Sequence, residues 1–311
     1  MRNATKSMVA IIFFFSMACK SRQEGSAVAN DQHNCPDENN YYEGADDASD
    51  LRAFLGERLA QCYNRIGYDQ VWDALRTTDA DKNNPGQVIQ LYSGIPTASD
   101  TDESSFVRSH TGAQSNASAW EKKVWNREHV WAKSRGFPKP GFYAYTDLHH
   151  LRVANKKLNA DRHHYEFGDG PSLRTYPDSS LCETCRIDVK GQLFYPGDLH
   201  KGDVARMLLY MDVRYDGIGD GVDPSRPTPD LQVVDELQYE DHPQGPPGSP
   251  RSDEYAPKFG NLCTLLRWHA EDPVDDIERE RNNAIYGIQH NRNPFIDHPE
   301  YADRIWANAC H

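Results

Sequence analysis

The chain is short of positive charge. Its 34 lysines and arginines face 47 aspartates and glutamates, a formal net charge of −13 over 311 residues. An acidic surface of this kind excludes general adhesion to nucleic acid or anionic membranes, so a polyanionic partner must be met by a local patch. Apolar runs of membrane-spanning length are missing too. The run at residues 8–17 (MVAIIFFFSM) falls short of the ~20 residues a helical span needs. No internal repeat and no alternating βαβ series is visible, which argues against solenoids and doubly wound sheets. There is no zinc-finger spacing and no groove-reading helix, so contacts that read base sequence are not expected.

What is present supports an exported, folded domain. A hydrophobic content of 38% with 11% aromatics can build a large core and excludes wholesale disorder. Arg2 and Lys6 precede the short apolar run, and small residues follow it, as in an export signal over residues 1–19. Cys19 at that junction matches the position of a lipid-modified cysteine, and an ordinary secretory cut nearby is the other reading. Residues 20–40 are polar and aperiodic and read as a flexible tether, with the folded domain spanning 41–311. Six further cysteines, Cys35, Cys62, Cys182, Cys185, Cys263 and Cys310, suit three disulfides in an oxidising compartment, and their spacing leaves the pairing open. Cys182 and Cys185 lack the second ligand pair that a structural zinc needs and read as part of a loop.

The elements are mostly helical. Ser49-Asp50 can cap a helix over 51–62, and a second amphipathic stretch runs over 68–75. A turn cluster at 79–86 leads to an alternating strand at 88–92. Helices are predicted over 202–215, 262–269, 273–289 and 301–307. Residues 96–118 and 168–184 read as loops, residues 224–258 as a long proline-rich surface insertion, and 291–300 as extended. Two acidic loops, 79–84 and 216–223, begin like calcium loops. The first lacks the required glycine and closing acid, and Ile218 and Pro227 spoil the second, so both read as turns. The fold class expected is α+β.

The chemistry concentrates in residues 125–165. Between 120 and 165, ten lysines and arginines stand against four acids, a net +6 inside an acidic chain. Phosphodiester hydrolysis needs a base for the attacking water and positive charge at the phosphate and the leaving oxygen. His129 is a base that titrates near neutrality. Glu128 offers a carboxylate and Asn159 an amide oxygen, the hard donors that Mg²⁺ prefers. Strand alternation should point Glu128 and His129 to opposite faces. A strand at 148–153 followed by a helix at 154–163 would place Arg162 on the same face as Asn159. Arg162 either binds phosphate or pairs with Asp161. Arg127, Lys156 and Arg135 are further candidates for phosphate contact, and Asp147 and His149 for supporting the metal ligands. Trp125 and Trp131 read as core.

NREHVW at 126–131, DLHHL at 147–151 and NADR at 159–162 resemble the bacterial endonuclease I family of secreted nucleases, a branch of the ββα-metal (His-Me finger) enzymes. The resemblance continues through GDVAR at 202–206 and QHNRNPFID at 289–297. Ala132 departs from the proline usual after the first motif. The resemblance implies an α+β domain built around a ββα-metal motif, with His129 as general base and Glu128 and Asn159 holding one Mg²⁺. It implies that water on that ion protonates the leaving 3′ oxygen, so that products carry 5′-phosphates. The expected activity is sequence-nonspecific cleavage of DNA, and also of RNA, with no obligate protein partner. The alternatives are an extracellular ribonuclease of the same family, a zinc phosphodiesterase using the paired histidines, and a catalytically silent binding protein of the same fold.

Overall fold

Asp50 accepts a hydrogen bond from the Ala53 amide and opens helix α1 (Leu51–Ala60), which buries Leu51, Leu55 and Leu59. The computed structural model describes residues 35–103, 124–217, 229–236 and 256–310. Residues 1–34, with the expected signal and most of the expected tether, lie outside them. Helix α2 (Val71–Thr78) follows, then the antiparallel pair β1 (Gln87–Ile89) and β2 (Pro96–Ala98). The ribbon that matters most is β3 (Trp125–His129) paired antiparallel with β4 (Leu151–Asn155), in a register that sets Glu128 opposite Arg152 and His129 opposite Leu151. The chain passes from β4 directly into helix α3 (Lys156–Arg162), because the Asn155 side chain accepts from the Lys157 and Leu158 amides and caps it.

The ribbon is held between two apolar clusters. Trp125, Leu151 and Val153 pack with Val71, Leu75, Val88 and Ile285 in the smaller one. Val130, Trp131 and Leu158 join the larger one, whose centre is helix α4 (Lys201–Arg214). From Gly202 to Arg214 every residue of α4 is buried, with Tyr210 donating to Asp147 and Asp212 paired with Arg52. Arg206 makes a double hydrogen bond to Glu278, 2.6 Å at each nitrogen. Helix α5 (Leu262–Glu271) packs on α4, and α6 (Asp276–Gln289) opens with a reciprocal capping box between Asp275 and Glu278. Helices α7 (Pro294–Asp297) and α8 (Tyr301–Ile305) complete an α+β domain with small, separate sheets.

Several expectations are corrected. Among the described residues of the segment read as tether, Cys35 is bonded to Cys62 and Glu38 pairs with Arg292. The stretch read as loop contributes to a four-stranded sheet, ordered β5 (Glu166–Phe167), β8 (Leu193–Tyr195), β7 (Arg186–Asp188) and β6 (Arg174–Thr175). Strands of two or three residues are too short to show alternation. The insertion at 224–258 is anchored at its base, where β9 (Gln232–Val233) pairs with β10 (Lys258–Phe259) and Leu231 is fully buried. The tail read as extended turns helical at α7, with proline in its first turn and Asn293 as cap. In the first acidic loop Asp79 pairs with Arg152 and Asp81 accepts from Asn83 and Asn84, as a turn does. The second acidic loop lies outside the described residues from 218 onward. The other disulfides are Cys182–Cys185, in the loop between β6 and β7, and Cys263–Cys310.

Candidate active site

The end of β3, the second half of α3 and the turn before α2 enclose an open cleft of about 690 Å³. Arg127, Glu128, His129, Asn159 and Arg162 all line it, so five of the residues singled out in the sequence meet in one place. Glu128 and His129 border the same cleft although they are neighbours on a strand. His129 is the last residue of β3, and its ring is held from outside the ribbon.

That hold determines the tautomer. His129 Nε2 lies 3.0 Å from the backbone carbonyl oxygen of Tyr145. A carbonyl can only accept, so Nε2 carries the proton and Nδ1 keeps the lone pair. Burial pushes the His129 pKa well below its usual value, and the nearby His150 and Lys133 add to the effect. The ring is therefore neutral near pH 7, the state a general base needs.

Glu128 is buried, 2% exposed, and its Oε1 is held on two sides. The Tyr92 hydroxyl donates to it at 2.6 Å, and Arg162 Nη1 stands 3.5 Å away. Burial still raises the Glu128 pKa, because Arg162 and Tyr92 offset the desolvation only in part. Tyr92 reaches this position because Leu91 pairs with Ala154 beside β4 and Tyr92 itself takes a left-handed backbone, φ 73°. On α3, Asn159 Nδ2 donates to Asn126 Oδ1 at 2.8 Å, which leaves the amide oxygen of Asn159 for another partner.

The other candidates are each engaged in contacts of their own. Arg162 pairs with Glu128 and donates to the carbonyls of His129, Val130 and His163; it is 1% exposed, and Asp161 pairs with Lys157 instead. Arg135 is equally buried and is spent on the His164 and Lys258 carbonyls and on Glu166, so it braces the cleft wall from behind. Lys156 pairs with Glu103 at 2.7 Å. Asp147 and His149 do not line the cleft. Asp147 accepts from Tyr210, Tyr215, Gln289 and the His149 amide in the interior, and His149 Nε2 faces the Asn291 carbonyl. Arg152, counted in the +6, pairs with the buried Asp79. Among the described residues, Arg135, Arg152, Lys156, Lys157 and Arg162 of the basic island are thus taken up by ion pairs, and Arg127 and Lys133 carry its charge to the cleft. Among the described residues the histidine pairs converge with no acid or cysteine into a three-ligand metal cluster. Tyr92, Asn126, Lys133 and the Tyr145 carbonyl are contributions that sequence reasoning missed. Only Asn126 carried a signal, its place inside the NREHVW motif.

A family profile described as Endonuclease I matches residues 48–221 and 249–300. Over 273 residues the chain is 40% identical to the extracellular ribonuclease of Bacillus amyloliquefaciens, covering 87% of this chain and 79% of that protein. The extracellular ribonuclease of Bacillus subtilis (strain 168) is 38% identical over the same length and shares. Endonuclease-1 of Buchnera aphidicola subsp. Baizongia pistaciae (strain Bp) is 24% identical over 153 residues, 49% of this chain and 46% of that one. With a profile covering most of the domain and relatives this similar along nearly all of it, the chain belongs to the Endonuclease I family.

Proposed function

We propose that the protein is an exported nuclease that hydrolyses phosphodiester bonds in RNA and DNA without sequence preference and leaves 5′-phosphates, with one Mg²⁺ bound by Glu128 and Asn159. The observation that carries this is the pinned His129: a neutral imidazole with its Nε2 proton anchored on Tyr145, beside a carboxylate and an amide in an open cleft. We read the β3–β4–α3 unit as a ββα-metal motif.

The donor set fits a hard divalent ion. One carboxylate and one amide oxygen suit Mg²⁺, which keeps several waters and takes few protein ligands. Glu128 is also a buried acid whose desolvation Arg162 does not fully offset, so a cation beside it would be stabilising. When bound, the ion would supply positive charge to the phosphate and to the departing oxygen. His129 Nδ1 takes the proton of the attacking water, and the Tyr145 carbonyl stabilises the resulting imidazolium through Nε2. Tyr92 and Arg162 hold Glu128 in place. Because water is the nucleophile, no 2′-hydroxyl is required, which supports action on both sugars. The relatives named as extracellular ribonucleases favour RNA as the main substrate. Three disulfides suit an oxidising compartment, in keeping with export. The presence together of Glu128, His129 and Asn159 weighs against a silent binding protein.

Digestion of matched RNA and DNA strands with Mg²⁺ and with excess EDTA is the test. Cleavage of both strands in Mg²⁺ and of neither in EDTA is expected. Undiminished activity in EDTA would remove the metal from the scheme, and cutting of RNA alone would remove DNA.

A further inference from the structure

One wall of the cleft has no part in the chemistry above. Tyr68, in the turn before α2, and Trp72, near the start of α2, both line the cleft and both remain partly exposed. Trp72 meets Trp125 edge-on at 5.3 Å, and Tyr68 meets Tyr145 edge-on at 4.8 Å, so both rings are held by residues of the site's own scaffold. The Tyr68 ring centre lies 6.0 Å from that of His129. Arg127 is laid against both rings, its guanidinium carbon 3.4 Å from the centre of Tyr68 and 4.0 Å from that of Trp72. Its Nη1 donates to the Tyr68 carbonyl at 2.6 Å, which fixes the plane in that position. Lys133, His163 and His164 line other parts of the cleft, so it offers aromatic surface and polar, basic surface together.

Aromatic rings and guanidinium planes are the surfaces on which unpaired bases stack, and they tolerate any base because every base has a π face. A base inside a duplex has both faces covered by its neighbours and reaches such a surface only after costly unstacking. From this juxtaposition we propose that Tyr68, Trp72 and the guanidinium of Arg127 form a nucleobase-stacking subsite beside the bond to be cut, so that the cleft takes single-stranded nucleic acid in preference to duplex. The subsite rests on the nuclease reading above and adds a substrate class to it. Stacking would add affinity to that supplied by Arg127 and Lys133, the arginine and lysine that carry charge to the cleft among the described residues.

The test uses full-length His129→Ala protein, so that substrate survives. Binding of a short fluorescent oligothymidylate is compared with binding of the same-length strand carrying tetrahydrofuran abasic residues throughout, which has equal charge and no bases. The base-bearing strand is expected to bind roughly tenfold more tightly or better, and a matched duplex more weakly than the single strand. Adding Tyr68→Leu or Trp72→Leu should shrink the base-dependent difference and leave abasic-strand affinity in place. Equal affinity for the two strands overturns the subsite while leaving the nuclease reading intact, as does retention of the full difference in a folded double variant. Failure to bind any strand, together with no cleavage by the parent, overturns both. The strand comparison needs no aromatic substitution, so it decides the matter even where a variant does not fold.

Discussion

His129 Nε2 is 3.0 Å from the carbonyl oxygen of Tyr145, and this single contact decides which nitrogen of the imidazole can act as a base. His129→Ala should lower the cleavage rate by about 10²–10⁴-fold, the usual worth of a positioned base, without loss of fold. Plasmid and RNA cleavage assays with circular dichroism as a control check it; a variant that cuts as fast as the parent would dismiss His129.

The pH profile follows from the same environment. Burial, with His150 and Lys133 nearby, holds the His129 pKa down, so the ring stays neutral to lower pH than a free histidine does. The acid limb of kcat/KM should therefore lie below pH 6.5, the ordinary value for histidine. An acid limb centred above 6.5 would contradict the assignment.

Tyr92 and Glu128 form the second pair of consequence, at 2.6 Å. Tyr92→Phe removes a hydrogen bond to a buried carboxylate, worth roughly 1.5–3 kcal/mol when the acceptor is charged. About a tenfold or greater rise in the Mg²⁺ concentration for half-maximal activity is expected, with a matching loss of Mn²⁺ affinity by calorimetry. Unchanged ion affinity would confine Tyr92 to packing.

Asp147 makes the contrasting case. Its two oxygens accept from Tyr210, Tyr215, the His149 amide and Gln289, at 2.8 to 3.1 Å. Asp147→Asn replaces an acceptor with a donor facing donors and should destabilise the domain by about 3 kcal/mol or more in urea unfolding. Divalent-ion affinity of the folded fraction should be unchanged, since Asp147 does not line the cleft. A selective loss of ion affinity would restore the role expected for it from sequence.

Acid stability depends on the neighbouring imidazoles. Burial presses His149 and His150 down to about 4 from 6.5, against the pull of Asp147. Folded pKa values below the unfolded ones mean that the stabilisation is fully present above pH 6.5 and is lost as pH falls through about 4. Each histidine contributes a slope of up to about 1.4 kcal/mol per pH unit in that window. Chemical denaturation from pH 7 to 4 should show the slope, and His149→Gln should reduce it by one proton's worth.

Local patterns were legible where the physics is local. Helices α1, α4, α5 and α6 follow from apolar spacing, and α1 also from the cap at Asp50, which acts within a turn or two. The four-stranded sheet was not legible, because strands as short as Glu166–Phe167 form only when a distant partner such as Leu193–Phe194 is in place. Charge counting misled for the same reason. Arg135, Arg152 and Arg162 count as basic in any window, yet each is neutralised by an acid that the fold brings to it.

The sequence by itself determined the chemical types offered at the candidate site, Glu128, His129 and Asn159, and the family motif that contains them, since these are matters of residue identity and short spacing. Only the tertiary structure decided that Tyr145 selects the proton position on His129, that Tyr92 and Arg162 secure Glu128, and that Asp147 belongs to the core. Those outcomes depend on contacts between segments far apart in the chain, and a hydrogen bond is made or lost over distances that spacing in sequence does not encode.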